Sequence, residues 1–390
     1  MRLLLVGNYL PDRQNSMLRY TDLLQRELGV RGHDVHVVMP AVCFGRFGQG
    51  TPLAKWLGYV DKYLLFPWQL RRAVRGWDWV HVCDHSNSVY LPYLPADRSS
   101  ITCHDVLAIE AAEGKHPVQD VGRTVSATGR VQQRWIRKHL LRARRIVSIS
   151  HATARSLKSM GAAGEITVIH NPLNRPFVPV AQAETERCRR HLKLAAGEKY
   201  VLHVGGNLWY KNRPGVLRIF GELRKHPEHK ALRLVVAGHA WTDEMRTAAQ
   251  EAGLNDDRAA GPVLTWVDPS DADVESLYTD AALFLFPSLQ EGFGWPILEA
   301  QSCGAPVATT ARDPMQEIAG DAALLLDPSD PAGAAQAIAD AWSRFPELQE
   351  KGLRNAARYT ADCLMPEYDD FFRRSVAAAT GKGAETHHAA

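Results

Sequence analysis

No apolar run among the 390 residues approaches the roughly 20 needed to span a bilayer. The opening MRLLLVGNYLPD has too short an apolar core for a secretory leader and reads as a first strand. Cysteine is sparse: Cys43, Cys83, Cys103, Cys188, Cys303 and Cys363 form no CxxC pair, which suggests neither a metal knuckle nor a disulfide framework. A reducing cytoplasm fits that usage. No G-x-G-x-x-G follows the first strand, so an NAD-dependent dehydrogenase is a poor reading. No recognisable motif reads nucleic acid, and the basic excess is confined to one half, so no nucleic acid partner is expected.

The chain is 45% hydrophobic and 23% charged, an ordinary soluble composition, and its length suggests about two domains. Its net charge of +3 hides an asymmetry. Residues 1–176 carry 24 Lys and Arg against 13 Asp and Glu, a balance of +11; the remainder carries 22 against 30, a balance of −8. Two domains with different tasks fit that contrast.

Short apolar runs alternate with helical periodicity from end to end. RLLLVG, HDVHVVMP, WVHVCD, SITCHD, RIVSIS and ITVIHN read as strands, and after a Pro- and Arg-bearing stretch near 172–197 the rhythm restarts with YVLHVGG, LRLVVAG, VLTWV, AALFLFP, APVATT and AALLLD. Strands separated by helices imply parallel sheets covered on both faces. The expected architecture is α/β: two Rossmann-like parallel-sheet domains facing a central cleft, at 1–174 and 175–363. A last helix near 364–380 is expected to pack back on the first domain. Ligands in such sheets sit at the carboxyl ends of strands.

One stretch at such an end is dense in chemistry: FPSLQEGFGWPILEAQSCGAPV, from Phe286 to Val307. Gly292 and Gly294 let backbone approach a ligand, and Pro296 suits a first helical turn that includes Trp295 and Ile297. Gly304 can end the helix. Free amides and the positive dipole end make an anion site suited to a diphosphate. Glu291 and Glu299 flank it, and a carboxylate accepts two hydroxyls of a vicinal diol. Ribose, diphosphate and hexose together describe a nucleotide-sugar.

The stretch resembles the signature of the retaining glycosyltransferases of family four, which share the GT-B fold; the likeness runs over nearly the whole chain and is best between about Val201 and Asp327. It implies that Glu291 contacts the transferred sugar, that Glu299 holds the ribose, and that Gly292, Phe293 and Gly294 belong to the donor site. It also implies no metal and no further cofactor. LHVGGNLWYKN resembles the family's phosphate-binding segment, with Gly205, Gly206, Asn207 and Lys211 as donor contacts, and Lys211 neutralising the leaving diphosphate. The family carries an arginine a few residues before that lysine; here Gly206 and Asn207 stand in the turn, with Arg213 as a substitute. Trp266 and Val267 of VLTWV lie where the family seats its base. SITCHD carries His104 and Asp105 at its carboxyl tip, and His104 resembles the family's strand-ending histidine beside the transferred sugar; the alternative is a histidine that satisfies local backbone while Asp105 caps a helix. His81, within a strand, reads as structural.

The first loop departs from the family. GNYLPDRQNSMLRY stands where a glycine pair is common, with Ser16 expected to cap the next helix and Arg13 or Arg19 as possible helpers for an anion, and the loop serves donor or acceptor. The Asp-x-Asp at 271–273 matches metal-dependent transferases but also opens a helix, which capping explains. GRVQQRWIRKHLLRARRI carries seven basic residues. It reads as a solvated helix or, with Trp56, Trp68 and Trp77, as contact with an anionic membrane at the inner face.

The expected function is retaining, metal-independent transfer of a hexose from a nucleotide-diphosphate sugar to a glycan, lipid-linked or small-molecule acceptor. His104, Lys211 and Glu291 are the candidate catalytic residues. An epimerase or phosphorylase of the same architecture, or a donor-binding partner without chemistry, are the alternatives.

Overall fold

The computed structural model describes residues 1–48, 53–116, 125–254 and 261–381. The chain divides into two compact units, one comprising residues 1–116 and 125–174 together with the helix Ala361–Thr380, the other residues 175–360.

Each unit is built on a six-stranded sheet whose strand pairs are all parallel. In the first unit β1 (Arg2–Val6), β2 (Asp34–Val38), β3 (Trp79–Val82), β4 (Ser99–Cys103), β5 (Arg145–Ser148) and β6 (Glu165–Val168) lie in the order β2-β1-β3-β4-β5-β6. In the second, β7 (Tyr200–Gly205), β8 (Arg233–Gly238), β9 (Val263–Val267), β10 (Leu283–Phe286), β11 (Val307–Thr310) and β12 (Leu324–Leu326) lie as β12-β11-β10-β7-β8-β9. The central strands are apolar runs because helices cover both faces. Val80, Val82, Ile101 and Ile146 lie in one core, and Val201, Leu234, Val236 and Leu285 in the other. Each such side chain contributes about 1.5–3 kcal/mol by leaving water.

In both sheets the winding direction reverses next to the first strand. The crevices this creates lie between β1 and β3 in one unit and between β7 and β10 in the other. Doubly wound sheets bind ligands at such switch points, beyond the carboxyl ends of the strands.

The helix Ala361–Thr380 starts before the expected 364 and runs through Pro366. It belongs to the first unit, where Phe371 and Phe372 are buried and Phe372 meets the His81 ring edge-on at 5.2 Å. Tyr20 donates from its hydroxyl to that of Tyr368 on this helix (3.1 Å). Ser16 does not cap the first helix, because Asn15–Val30 begins one residue before it and Gln14 takes the cap position without a side-chain bond.

Candidate functional site

The switch point of the second unit is bounded by the loops that leave β7 and β10. β7 ends on Gly205; Gly206 and Asn207 follow, then a single turn Trp209–Lys211. Asn212, at φ 50°, accepts from the Gly215 amide and donates to the Pro287 carbonyl (2.9 Å), so the helix Arg213–Leu223 is tied to the exit of β10. The Leu289 amide bonds the Tyr210 carbonyl at 2.7 Å, a second stitch between the two loops.

This stitching brings Lys211 Nζ to 2.7 Å from Glu291 Oε1, with the side chains only 15% and 8% exposed. The ammonium also lies 5.0 Å from the centre of the Phe286 ring. A charge pair so shielded interacts more strongly than one in water.

Beyond Glu291 the chain turns at Gly294, φ 109° and ψ 39°, and enters the helix Trp295–Ser302 with Pro296 in its first turn. A residue with a Cβ is strained at that φ. Ile297 and Leu298 anchor the helix in the core, and Phe293 packs edge-on to Trp295 and Tyr359. Pro296 brings no amide N–H and the Ile297 amide donates to the Gly294 carbonyl (3.0 Å), so the helix start faces an anion chiefly with the positive end of its dipole. Glu299, one turn in and partly buried, accepts from the Tyr278 hydroxyl (3.3 Å). Tyr278 sits in Asp271–Asp280, a helix whose part in the site no sequence pattern signals.

Other expected residues lie apart. Trp266 is on β9, two strands from β7, and its ring stacks on His191 at 4.0 Å; Val267 beside it is exposed. Arg213 is buried and donates to Asn207 Oδ1 and to the His239 carbonyl (2.9 Å). Asp273 completes a capping box with Ser270 and pairs with Arg187 at 2.6 Å.

His104 stands in the first unit at the tip of β4. It is buried, Nε2 donates to the Cys83 carbonyl (2.8 Å), and Tyr20 meets its ring edge-on at 4.6 Å. With Nε2 carrying the proton, Nδ1 is an acceptor, and no partner meets it among the described residues. Burial lowers its pKa, which keeps the ring neutral near pH 7. His81 pairs with Ser100 and Thr102 hydroxyls at 2.8 Å on both nitrogens, a structural role.

The crevice between β1 and β3 is filled by side chains. Asn8 donates to Asp84 Oδ2 (2.5 Å) and to Gln14 Oε1, and accepts from Asn87 (3.1 Å). Burial opposes ionisation of Asp84, yet His85 at 3.2 Å and the Ser86 hydroxyl hold its carboxyl well below the usual range. Tyr9 is fixed through its hydroxyl to Asp61 (2.8 Å), which also accepts the amides of Cys43, Phe44 and Gly45. Asp61 opens a π turn, Asp61–Leu65, within one helical run, Leu53–Ala73. The first loop is thus pinned at Asn8 and Tyr9. Beyond them Leu10–Arg13 borders a cavity of about 950 Å³ with Lys55, Tyr59, Lys62 and Gln132. Arg13, at φ 51°, lines it, and Lys62 Nζ pairs with Asp12 at 2.7 Å.

The arginine-rich segment is only partly helical: it lies in the helix Ala127–Leu140 up to Leu140, while Arg142 and Arg144 follow the helix and Arg145 opens β5. Ile136 and Leu140 are buried and Trp135 packs on Tyr63 at 5.1 Å. Exposed apolar residues gather instead on Leu53–Ala73: Leu53, Trp56, Leu64 and Trp68. Trp77 is half-buried against His36. No helix among the described residues is long and apolar enough to cross a membrane.

Two family models match the chain: Glycosyltransferase Family 4 over residues 17–175 and Glycosyl transferases group 1 over residues 184–358. The O-antigen chain mannosyltransferase B of Escherichia coli is 29% identical over 275 residues, 68% of this chain and 66% of that one, just under two thirds of its length. The GDP-mannose:cellobiosyl-diphosphopolyprenol alpha-mannosyltransferase of Komagataeibacter xylinus is 24% identical over 389 residues, 94% of this chain and 90% of that one. Among solved structures, sucrose-phosphate synthase from Thermosynechococcus elongatus superposes with a TM-score of 0.71 at 18% identity, covering 97% of this chain and 100% of that one, a likeness of fold. The two parallel sheets are those of the GT-B fold. The chain belongs to the group 1 glycosyltransferases of family 4.

Proposed function

We propose that this protein moves a hexose from a nucleotide-diphosphate sugar to a glycan or lipid-linked acceptor, with retention at the anomeric carbon, in polysaccharide or glycoconjugate synthesis. The observation that carries the reading is the shielded Lys211–Glu291 pair at a switch point, beside the helix that begins at Trp295. In this reading the diphosphate lies at the positive end of the helix Trp295–Ser302 and against Lys211, Glu291 orients the hexose, and Glu299 holds the ribose. The bond from the anomeric carbon to the leaving phosphate oxygen breaks as the acceptor oxygen bonds to the same face. The acceptor proton passes to the departing phosphate. Lys211 and the helix start meet the developing negative charge. The scheme calls for no metal ion and no organic cofactor. His104 offers Nδ1 to a hydroxyl on the reacting face. The names of the two relatives favour mannose, and that of the Komagataeibacter xylinus enzyme favours guanosine diphosphate as its carrier.

The first unit takes the acceptor in this proposal. One side of Leu53–Ala73 borders the cavity through Lys55, Tyr59 and Lys62, while Trp56 and Trp68 are 56% and 57% exposed, with the Arg72 guanidinium 3.5 Å over the Trp68 ring. A helix that exposes tryptophan beside arginine suits the surface of an anionic membrane. The protein would then act as a cytoplasmic enzyme resting on the inner face.

The test is incubation of purified protein with labelled GDP-mannose, with and without a lipid-linked acceptor extract. Label moving to lipid only when acceptor is present supports transfer. Acceptor-independent conversion of the sugar would mean an epimerase, and recovery of intact donor under both conditions would mean a binding role.

A further inference from the structure

Lys211 is already neutralised by Glu291, so the pair presents no net charge to a diphosphate that carries at least two negative ones. Arg213 cannot make up the difference. It is 3% exposed: its two terminal nitrogens bond Asn207 Oδ1 and the His239 carbonyl, and its Nε is buried without a partner among the described residues. Those two bonds show what it does. Asn207 also donates through Nδ2 to the Ala240 carbonyl (2.9 Å), so the turn leaving β7 is laced to the turn leaving β8. Gly205 pairs with Gly238 in the sheet register. Gly238 stands at φ 130°, and a Cβ there would collide with the Gly205 carbonyl oxygen, so the two strand ends meet backbone to backbone.

On this floor lies the ring of His239. A Cβ on Gly206 would stand 3.3 Å from its Cε1 and 3.4 Å from its Nδ1, whereas one on Gly205 would stand 3.1 Å from Nε2 of the buried His203 and 3.9 Å from the Cβ of Lys211. Lys211 and His239 therefore border two consecutive glycines. His239 is exposed although Arg213, which holds its carbonyl, is buried. Burying an arginine is expensive unless it is hydrogen-bonded. Here its hydrogen bonds fix the backbone from which an exposed imidazole rises at the carboxyl tip of β8.

We propose that His239 is a donor-site residue whose ring N–H bonds the diphosphate of the nucleotide-sugar from the β8 side, complementing Lys211 across the Gly205–Gly206 floor. The proposal rests on the nucleotide-sugar reading above and adds to it a residue outside both motifs. An imidazole donates whether neutral or charged, and bonds to a phosphate oxygen are among the stronger hydrogen bonds.

The test is isothermal titration of wild type and His239→Ala with GDP, UDP and ADP and with the corresponding nucleosides, with the ligand-free melting temperature as the control for folding. Loss of one charge-assisted bond predicts about tenfold weaker binding of whichever diphosphate the wild type takes. Nucleoside binding and melting temperature stay unchanged. Equal diphosphate affinity in the two proteins overturns the proposal. A parallel loss for nucleoside and diphosphate also overturns it, since the ring would then serve base or ribose. If the wild type binds none of the diphosphates, the nucleotide-sugar reading fails first and takes this one with it.

Discussion

Lys211 and Glu291 leave different strands of one sheet and meet at 2.7 Å, largely shut off from water. A cation held against a carboxylate at the mouth of a helix can turn from one anion to another when a ligand arrives. Removing one partner strands the other charge, which costs about 3 kcal/mol at a buried pair. Lys211→Met and Glu291→Gln are each expected to lower the melting temperature. The double variant should be more stable than either single, because no charge is left unpaired. Transfer should fall by about 10²–10³ in kcat for Lys211→Met and stay low in the double variant. Thermal unfolding beside turnover assays separates the two effects; recovery of activity in the double variant would show the pair to be structural alone.

Gly294→Ala tests the geometry of the helix start. An alanine at φ 109° is strained by about 1–2 kcal/mol, and its Cβ would also come to 3.3 Å from Ile297 Cδ1. Donor affinity should drop, since the helix start shifts. Ala substitution at the solvent-exposed Gly29, which has open space around it, serves as the control and should change nothing at the site. Nucleotide titration and melting curves read both.

Acid should weaken both units. Burial, with some help from His104, pulls His81 down to about 3, and burial likewise pulls His203 to about 3. Unfolded, each returns to the ordinary value near 6.5. Between pH 3 and 6.5 the unfolded chain therefore binds a proton at each position that the native protein does not, and stability falls as pH falls through that window. Denaturant melts across the window should show the slope, and His203→Gln should lower it by about one proton.

Asp61 accepts one hydroxyl and three amides. Asp61→Asn keeps the shape but replaces an acceptor-only group with one that brings an amide donor against them, at a cost of about 2 kcal/mol. The cavity beside Lys62 should loosen, so the variant should lose acceptor-dependent turnover while nucleotide affinity holds. A steady-state split between donor and acceptor KM decides it.

Trp56→Ser with Trp68→Ser should weaken sedimentation with anionic vesicles and leave nucleotide binding intact, because both rings are exposed and outside the second unit. Wild-type affinity for such vesicles in the double variant would remove the helix Leu53–Ala73 from the membrane proposal.

Much of the proposed donor site is legible in the chain because its parts are contiguous. Phe286 through Ser302 hold the strand end, the glycine turn, Glu291, the helix start and Glu299, so local patterning carries them. Trp266 shows the limit. Its position at a strand end is readable, but its stacking on His191 comes from a separate helix. Asn8 is similar: only the neighbouring β3 brings Asp84 to it and turns the first loop into a closed crevice. The basic helix misleads for another reason, since counting charges does not say which apolar residues remain outside; Trp135 is covered by Tyr63, whereas Trp56 and Trp68 are not.

What the sequence by itself determined is the alternation of buried strands with helices, the glycines at left-handed positions and the restart of the pattern at mid-chain. These depend on a residue and its near neighbours. Tertiary structure decided that β7 lies between β8 and β10, and so that Lys211 faces Glu291 while His239 lies over Gly206. Parallel strands pair only through long crossovers, and the side on which each crossover returns is settled by packing helices on both faces of the sheet, not by any run of residues.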